Sequence, residues 1–291
     1  MKKIIIGLDL TDFDATIASY FVFIATYWQP EKIYILYVTD TINEFQEEKQ
    51  LVWNTDLPME DFFKAKLQAI IQKYFPIELQ EKTNYIIGEG NPHEEMLHWA
   101  VAKQADLMVI GRKFSLTGSE MLPQQFALRT PCSVLLVPEM ANANLDTVLV
   151  SIDFSVYAKK AVEVAIELVE KVPYSSLYCQ YIFDIPSTWL NSESSFHQEI
   201  KVAKHEAEKN YEKFMFAIDS KAVRITSLLS PGNEDEDFIR TYENAKDIDA
   251  SLLIVGTKGR SFISRFFDQS FTQKMIEQNN KIPLLLVKSG E

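Results

Sequence analysis

Cysteine is scarce. Cys132 and Cys179 are the only two in 291 residues, and they form no CxxC. So few thiols exclude a disulfide framework and a cysteine-rich zinc site, and they read as two unrelated reduced side chains. Glycine is scarce as well, with nine residues, so a glycine beside an apolar run invites a local reason. Positive charge is in deficit. Lys and Arg number 29 against 41 Asp and Glu, giving a formal charge of −12 and a pI near 4.9. That field disfavours nucleic acid and anionic lipid as partners. It leaves room for a small anion in a local basic pocket. Long apolar runs are missing, and none approaches the roughly 18 residues that span a bilayer. The opening MKKIIIGLDL has a leader's charge but only a short apolar run, stopped by Asp9. It reads as a buried strand. No membrane partner and a cytoplasmic location are the expectations by elimination.

What is present is written twice. IIIGLDLTD (4–12) is matched by VLVSIDFSV (148–156), and ADLMVIGRK (105–113) by ASLLIVGTK (250–258). PCSVLLVP (131–138) is matched by KIPLLLVK (281–288). Three matched segments in the same order indicate an internal duplication. The polar stretch PEMANANLDT (138–147) suits a linker, which places the domains at 1–143 and 144–291.

Each half alternates apolar runs with amphipathic segments. The first half predicts strands at 3–9, 33–39, 83–87, 106–111 and 133–137. Helices are predicted at 13–28, 59–74, 92–104 and 122–129. The second predicts strands at 147–152, 176–183, 223–229, 251–256 and 283–287, with helices at 156–171, 195–217, 234–246 and 270–279. Continuous Val, Ile and Leu runs suit strands buried on both faces. Alternation with helices gives an α/β fold, here two tandem doubly wound parallel-sheet domains. Ligands of such sheets lie beyond the strands' carboxyl ends, where strand order reverses.

The segment GTKGRSFISRFFDQSF (256–271) carries Lys258, Arg260 and Arg265 on a glycine turn after an apolar run. Gly256 and Gly259 would allow positive φ and close approach of backbone to an oxygen-rich ligand. Ser270 and Gln273 have capping-box spacing, and a helix start of that kind offers N–H groups to an anion. The basic side chains would add charge-assisted contacts. From this loop alone, a plain basic surface turn is the leading reading and phosphate binding the alternative. Neither the Rossmann GxGxxG nor the P-loop pattern is present.

The combination SIDFS, YIFD, GTKG plus nine residues plus QS, and IPLLLV resembles the universal stress protein family. The likeness spans both halves. It implies a Rossmann-like α/β fold, of the adenine nucleotide alpha hydrolase-like kind, in tandem. It also implies adenine-nucleotide binding, ATP or AMP, which some members show and others do not. On that resemblance Ser151, Asp153 and Ile182 fall at adenine-side positions. Gly256, Gly259, Gln269, Ser270 and Phe271 fall at ribose and phosphate positions, with Arg260 beside them. Gln269 departs from the Gly of nucleotide-binding members.

The first half departs further. Phe114 stands where the second half has Gly259, and the first half is five residues shorter between Gly111 and Val137 than the second between Gly256 and Val287. It is read as a degenerate site. The four histidines, His93, His98, His197 and His205, show no metal-ligand spacing and read as solvated helix positions. Asp9 and Asp153 read as turn-fixing or ligand-binding carboxylates, with no nucleophile–base pair beside them.

The leading functional expectation is a non-enzymatic stress-response or regulatory protein with one competent nucleotide site, in the second half. The alternatives are an interaction or assembly protein with empty sites, and a slow ATP hydrolase. The resemblance also implies an intramolecular pseudo-dimer through 133–137 and 283–287. A further homodimer of the chain is a weaker expectation.

Overall fold

The computed structural model describes residues 1–39, 58–112, 129–184, 193–232, 237–257 and 281–288. The chain divides into two compact units, Met1–Ala143 and Asn144–Glu291.

The first unit runs β1 (Lys3–Gly7), α1 (Asp14–Trp28), β2 (Lys32–Thr39), α2 (Met59–Tyr74), α3 (Ile77–Gln80), β3 (Thr83–Glu89), α4 (Pro92–Ala102), β4 (Leu107–Arg112) and β5 (Ser133–Pro138). Its strands pair in parallel in the order β3-β2-β1-β4-β5. The second unit runs β6 (Thr147–Ser151), α5 (Val156–Val169), β7 (Ser176–Asp184), α6 (Glu193–Phe216), β8 (Ile225–Gly232), α7 (Asp237–Asp247), β9 (Leu252–Thr257) and β10 (Leu284–Lys288). Its order is β8-β7-β6-β9-β10, again parallel. Both units are Rossmann-like. In each, the chain winds outward from the first strand to one side and then returns to the other. The reversal lies between β1 and β4 in one unit and between β6 and β9 in the other.

The apolar runs form these strands because helices cover both sheet faces. Ile4, Ile5 and Ile6 of β1 have no exposed surface, and every residue of β9 is buried. Each such side chain contributes about 1.5–3 kcal/mol on burial. The strands and most helices lie within a few residues of the sequence expectation. The short α3, started by Pro76, is additional. The helix expected at 270–279 and most of that at 122–129 lie outside the described residues.

The duplication extends to backbone conformation. Leu10 and Phe154 hold matched left-handed positions, φ 59° and 63°, just after Asp9 and Asp153. Gln104 and Asp249 do the same after α4 and α7, both at φ 50°. Both helices close with the same pair of reversed hydrogen bonds. Ala105 N–H donates to the carbonyl of Ala100 at 2.9 Å, and Ala250 N–H to that of Ala245 at 2.8 Å. Side chains at matched positions solve one problem with different chemistry. The Asp106 carboxylate accepts the amides of Lys2 and Lys3 at 2.7 and 2.9 Å. Ser251, in the same place, accepts the Thr147 amide at 3.2 Å.

Candidate functional site

The described part of the candidate site stands at the carboxyl ends of β6, β7 and β9. β6 ends at Ser151, which pairs in register with Val255, the residue before Gly256. Ser151, Asp153 and Gly256 therefore sit beside the strand-order reversal, where such sheets bind ligands. Ile182 lies on the neighbouring β7 and is 3% exposed.

Two polar atoms here are buried without a partner among the described residues: the Ser151 hydroxyl and Oδ2 of Asp153. The other Asp153 oxygen is used locally, accepting the Ser155 amide at 3.0 Å. Ser155 then caps α5, its hydroxyl accepting the Ala158 amide at 3.1 Å. This local chain of bonds fixes the turn and holds the second Asp153 oxygen inward. A buried acceptor left alone costs about 1–3 kcal/mol, so such a pair is uncommon in a folded interior.

Gly256 differs from expectation. It is the penultimate residue of β9, in strand conformation, and among the described glycines positive φ occurs at Gly90, at 111°. Its need for a bare α-carbon comes from packing. A β-carbon there would overlap the Tyr157 carbonyl and stand 2.9 Å from the Ala158 nitrogen. Gly256 thus lets the first turn of α5 lie directly on the strand. Gly259, Arg260, Gln269, Ser270 and Phe271 lie outside the described residues, as do Phe114 of the first half and the loop around it.

The Phe154 ring, set by its left-handed backbone, lies 4.2 Å from Tyr181 and 5.5 Å from Phe214 by centroids. Beneath the end of β7 runs a buried polar network. Gln180, with no exposed surface, donates through Nε2 to the Thr241 hydroxyl at 2.8 Å. Asn244 Nδ2 donates to the Gln180 side-chain oxygen Oε1 at 3.1 Å and to the Ser230 hydroxyl at 3.0 Å. The network ties β7, β8 and α7 together. Sequence reasoning missed it. The available signal was a Gln inside the apolar strand SLYCQYIFD, where the first half has Leu36.

The matched place in the first unit is filled by other side chains. Gly7 replaces Ser151, and the Met96 methyl lies 3.0 Å from where a Gly7 β-carbon would be. Asp14 replaces Ala158 and is 1% exposed. Gly111 faces the side chains of Phe13 and Ile17. Asp9 fixes its turn through Thr11, accepting the hydroxyl at 2.6 Å and the amide at 3.2 Å.

No group of three or more metal-ligating side chains occurs among the described residues. His98 and His205 are exposed, whereas His93 is half-buried and its pKa is lowered by burial. That corrects the solvated reading for His93. Burial pushes the Cys179 thiol up to about 12, against a hydrogen bond with Tyr211 that lowers it. A thiol so weakly acidic is no nucleophile at neutral pH. Among the described residues, no helix is long and apolar enough to cross a membrane.

The universal stress protein family model matches residues 144–288. A universal stress protein from Archaeoglobus fulgidus DSM 4304 shares the fold over 99% of this chain and 97% of its own, at 16% identity and TM-score 0.67. A functionally unknown protein from Pseudomonas aeruginosa PAO1 does so over 100% and 93%, at 11% identity and TM-score 0.64. A universal stress protein in complex with cAMP covers 47% of this chain and 95% of its own, at 16% identity and TM-score 0.33. No curated relative matches the chain. The family's own model thus lies on the second unit and the fold extends along both: the second unit, residues 144–288, belongs to the universal stress protein family, and the whole chain has the fold of its solved members.

Proposed function

We propose that the second unit binds an adenine nucleotide, ATP or AMP, and that the protein is a non-enzymatic stress-response or regulatory protein. The observation that carries this reading is the pair of buried, unpartnered oxygens on Ser151 and Asp153. The free carboxylate oxygen matches an exocyclic amino donor, and Ile182 on the neighbouring strand falls at an adenine-side position by the family resemblance. The phosphate side of the proposal rests on residue pattern: Gly259, Arg260, Gln269, Ser270 and Phe271 follow Gly256 with the family's spacing. The first unit lacks Ser151's hydroxyl and the second glycine, so one nucleotide per chain is the expected stoichiometry.

Calorimetric titration of the full chain with ATP, AMP and cAMP tests this. Asp153→Ala removes a charge-assisted contact worth about 1.5–3 kcal/mol, which is roughly tenfold or more in affinity. Gly259→Val should weaken binding at least as much. The absence of heat with the wild-type chain would refute the proposal and favour an interaction protein with empty sites. Phosphate released over hours in step with enzyme concentration would favour a slow hydrolase instead.

The proposal includes association of the two units through 133–137 and 283–287, as the resemblance implies. A protease site introduced at the exposed Ala143 allows the linker to be cut. The two halves should then co-elute, and separate elution would overturn this part.

A further inference from the structure

The turn leaving β1 is a copy of the turn leaving β6. Leu8 N–H donates to Leu36 at 3.0 Å where Ile152 N–H donates to Gln180 at 2.9 Å. Leu10 and Phe154 then take the same left-handed conformation. The copies differ in what meets the two amides between these points. In the first unit, Asp9 N–H donates to Oδ1 of Asp14 at 3.2 Å, and Leu10 N–H donates to Oδ2 at 2.8 Å. In the second unit Ala158 takes the place of Asp14. There, no acceptor among the described residues meets the amides of Asp153 and Phe154.

We infer that the first unit's ligand position is occupied by the chain itself: Asp14 is a tethered carboxyl group that closes the β1 turn, and Ala158 leaves the matched turn of the second unit open. The rest of the first position is closed in the same way, by Met96 over Gly7 and by Phe13 and Ile17 over Gly111. A missing glycine in the loop would only weaken an external ligand. A carboxyl group on both amides excludes one. The tether also explains how a carboxyl can be so deeply buried. Two backbone donors satisfy its oxygens, and as the first residue of α1 it faces the helix's positive end. The open amides of the second unit call for an acceptor from outside, beside the unpartnered Asp153 oxygen. That assignment of the second turn rests on the proposed nucleotide site, whereas the closure of the first does not.

The test uses the full chain, thermal unfolding and sodium formate as the probe. Asp14→Ala removes the carboxyl and leaves two part-buried amides without their acceptor, so its unfolding temperature should fall. Formate should restore it saturably while leaving wild type unmoved. Asp14→Asn keeps the shape and one of the two acceptors. At a fixed pH below about 5 it should lose less stability than Asp14→Ala and respond less to formate. If Asp14→Ala is as stable as wild type, or formate shifts all three chains equally, the inference fails. Should Asp14→Ala not fold, Ala158→Asp tests the geometry from the other side. The new carboxyl should protect the amides of Asp153 and Phe154 from hydrogen exchange, and unchanged exchange there overturns the inference. Neither arm requires nucleotide binding, so each can fail while the proposed nucleotide site stands.

Discussion

Gly256 and Tyr157 touch through backbone: a β-carbon on Gly256 would run into the Tyr157 carbonyl in the first turn of α5. The matched Gly111 meets side chains instead, with the Phe13 ring 2.5 Å and the Ile17 methyl 2.6 Å from its would-be β-carbon. Gly256→Ala and Gly111→Ala should each cost about 1–3 kcal/mol through overpacking. Their rescue should differ. Phe13→Leu should lessen the cost of Gly111→Ala, because a ring can be trimmed. Tyr157→Leu should give no relief to Gly256→Ala, because the obstacle is main chain. Urea unfolding of the single and double variants measures both couplings, and equal rescue in the two units would contradict this contact geometry.

Gln104 and Asp249 hold left-handed positions immediately after α4 and α7. A side chain there costs about 1–2 kcal/mol relative to glycine. Gln104→Gly and Asp249→Gly should therefore stabilise their units by about 1 kcal/mol each. A loss of stability would show that these side chains hold more than the cap.

Gln180→Leu copies the first unit's residue at that place and strands its partners on α7. Thr241 loses its donor, and Asn244 retains only Ser230. The expected cost is about 1–3 kcal/mol. Adding Thr241→Met, the first unit's residue there, should cost less than the sum of the single changes. Strict additivity in unfolding experiments would argue against a coupled network.

The Asp14 carboxyl is pushed up to about 7 from 3.8, first by burial and then by the neighbouring Asp9 charge, against the two amide hydrogen bonds that lower it. Other charged groups on elements packed against α1 are Glu60, Asp61, Lys64, Lys66 and Lys73 of α2 and Arg112 of β4. A folded pKa above the unfolded one means that the protonated form is favoured by folding. This contribution is full below about pH 4 and is lost as pH rises through about 7, with a slope of at most about 1.4 kcal/mol per pH unit. The difference between the wild-type and Asp14→Asn stability curves should therefore fall across pH 4–7. A flat difference would mean that Asp14 is ionised throughout.

The sequence by itself determined the duplication, the strand positions, the positions of most helices among the described residues, and the parallel fold of each half. Those properties are local. A run such as LLIVG can be satisfied only as a strand covered on both faces, and the amphipathic segments between such runs supply the cover. The family pattern at Ser151, Asp153, Ile182 and Gly256 was legible for the same reason, since it is a matter of residue type and spacing. Their physical roles were not. Whether Gly256 yields to a ligand or to a helix depends on how far Tyr157, almost a hundred positions earlier, stands from β9. Whether Asp14 is a surface charge or a closed turn depends on its reaching back to the amides of Asp9 and Leu10. Whether Gln180 is a misplaced polar residue or a tie depends on Thr241 and Asn244 arriving beside it. Only the tertiary structure decided these, because a buried hydrogen bond or an overlap of atoms is set by distances of about 3 Å between residues that the chain itself keeps apart.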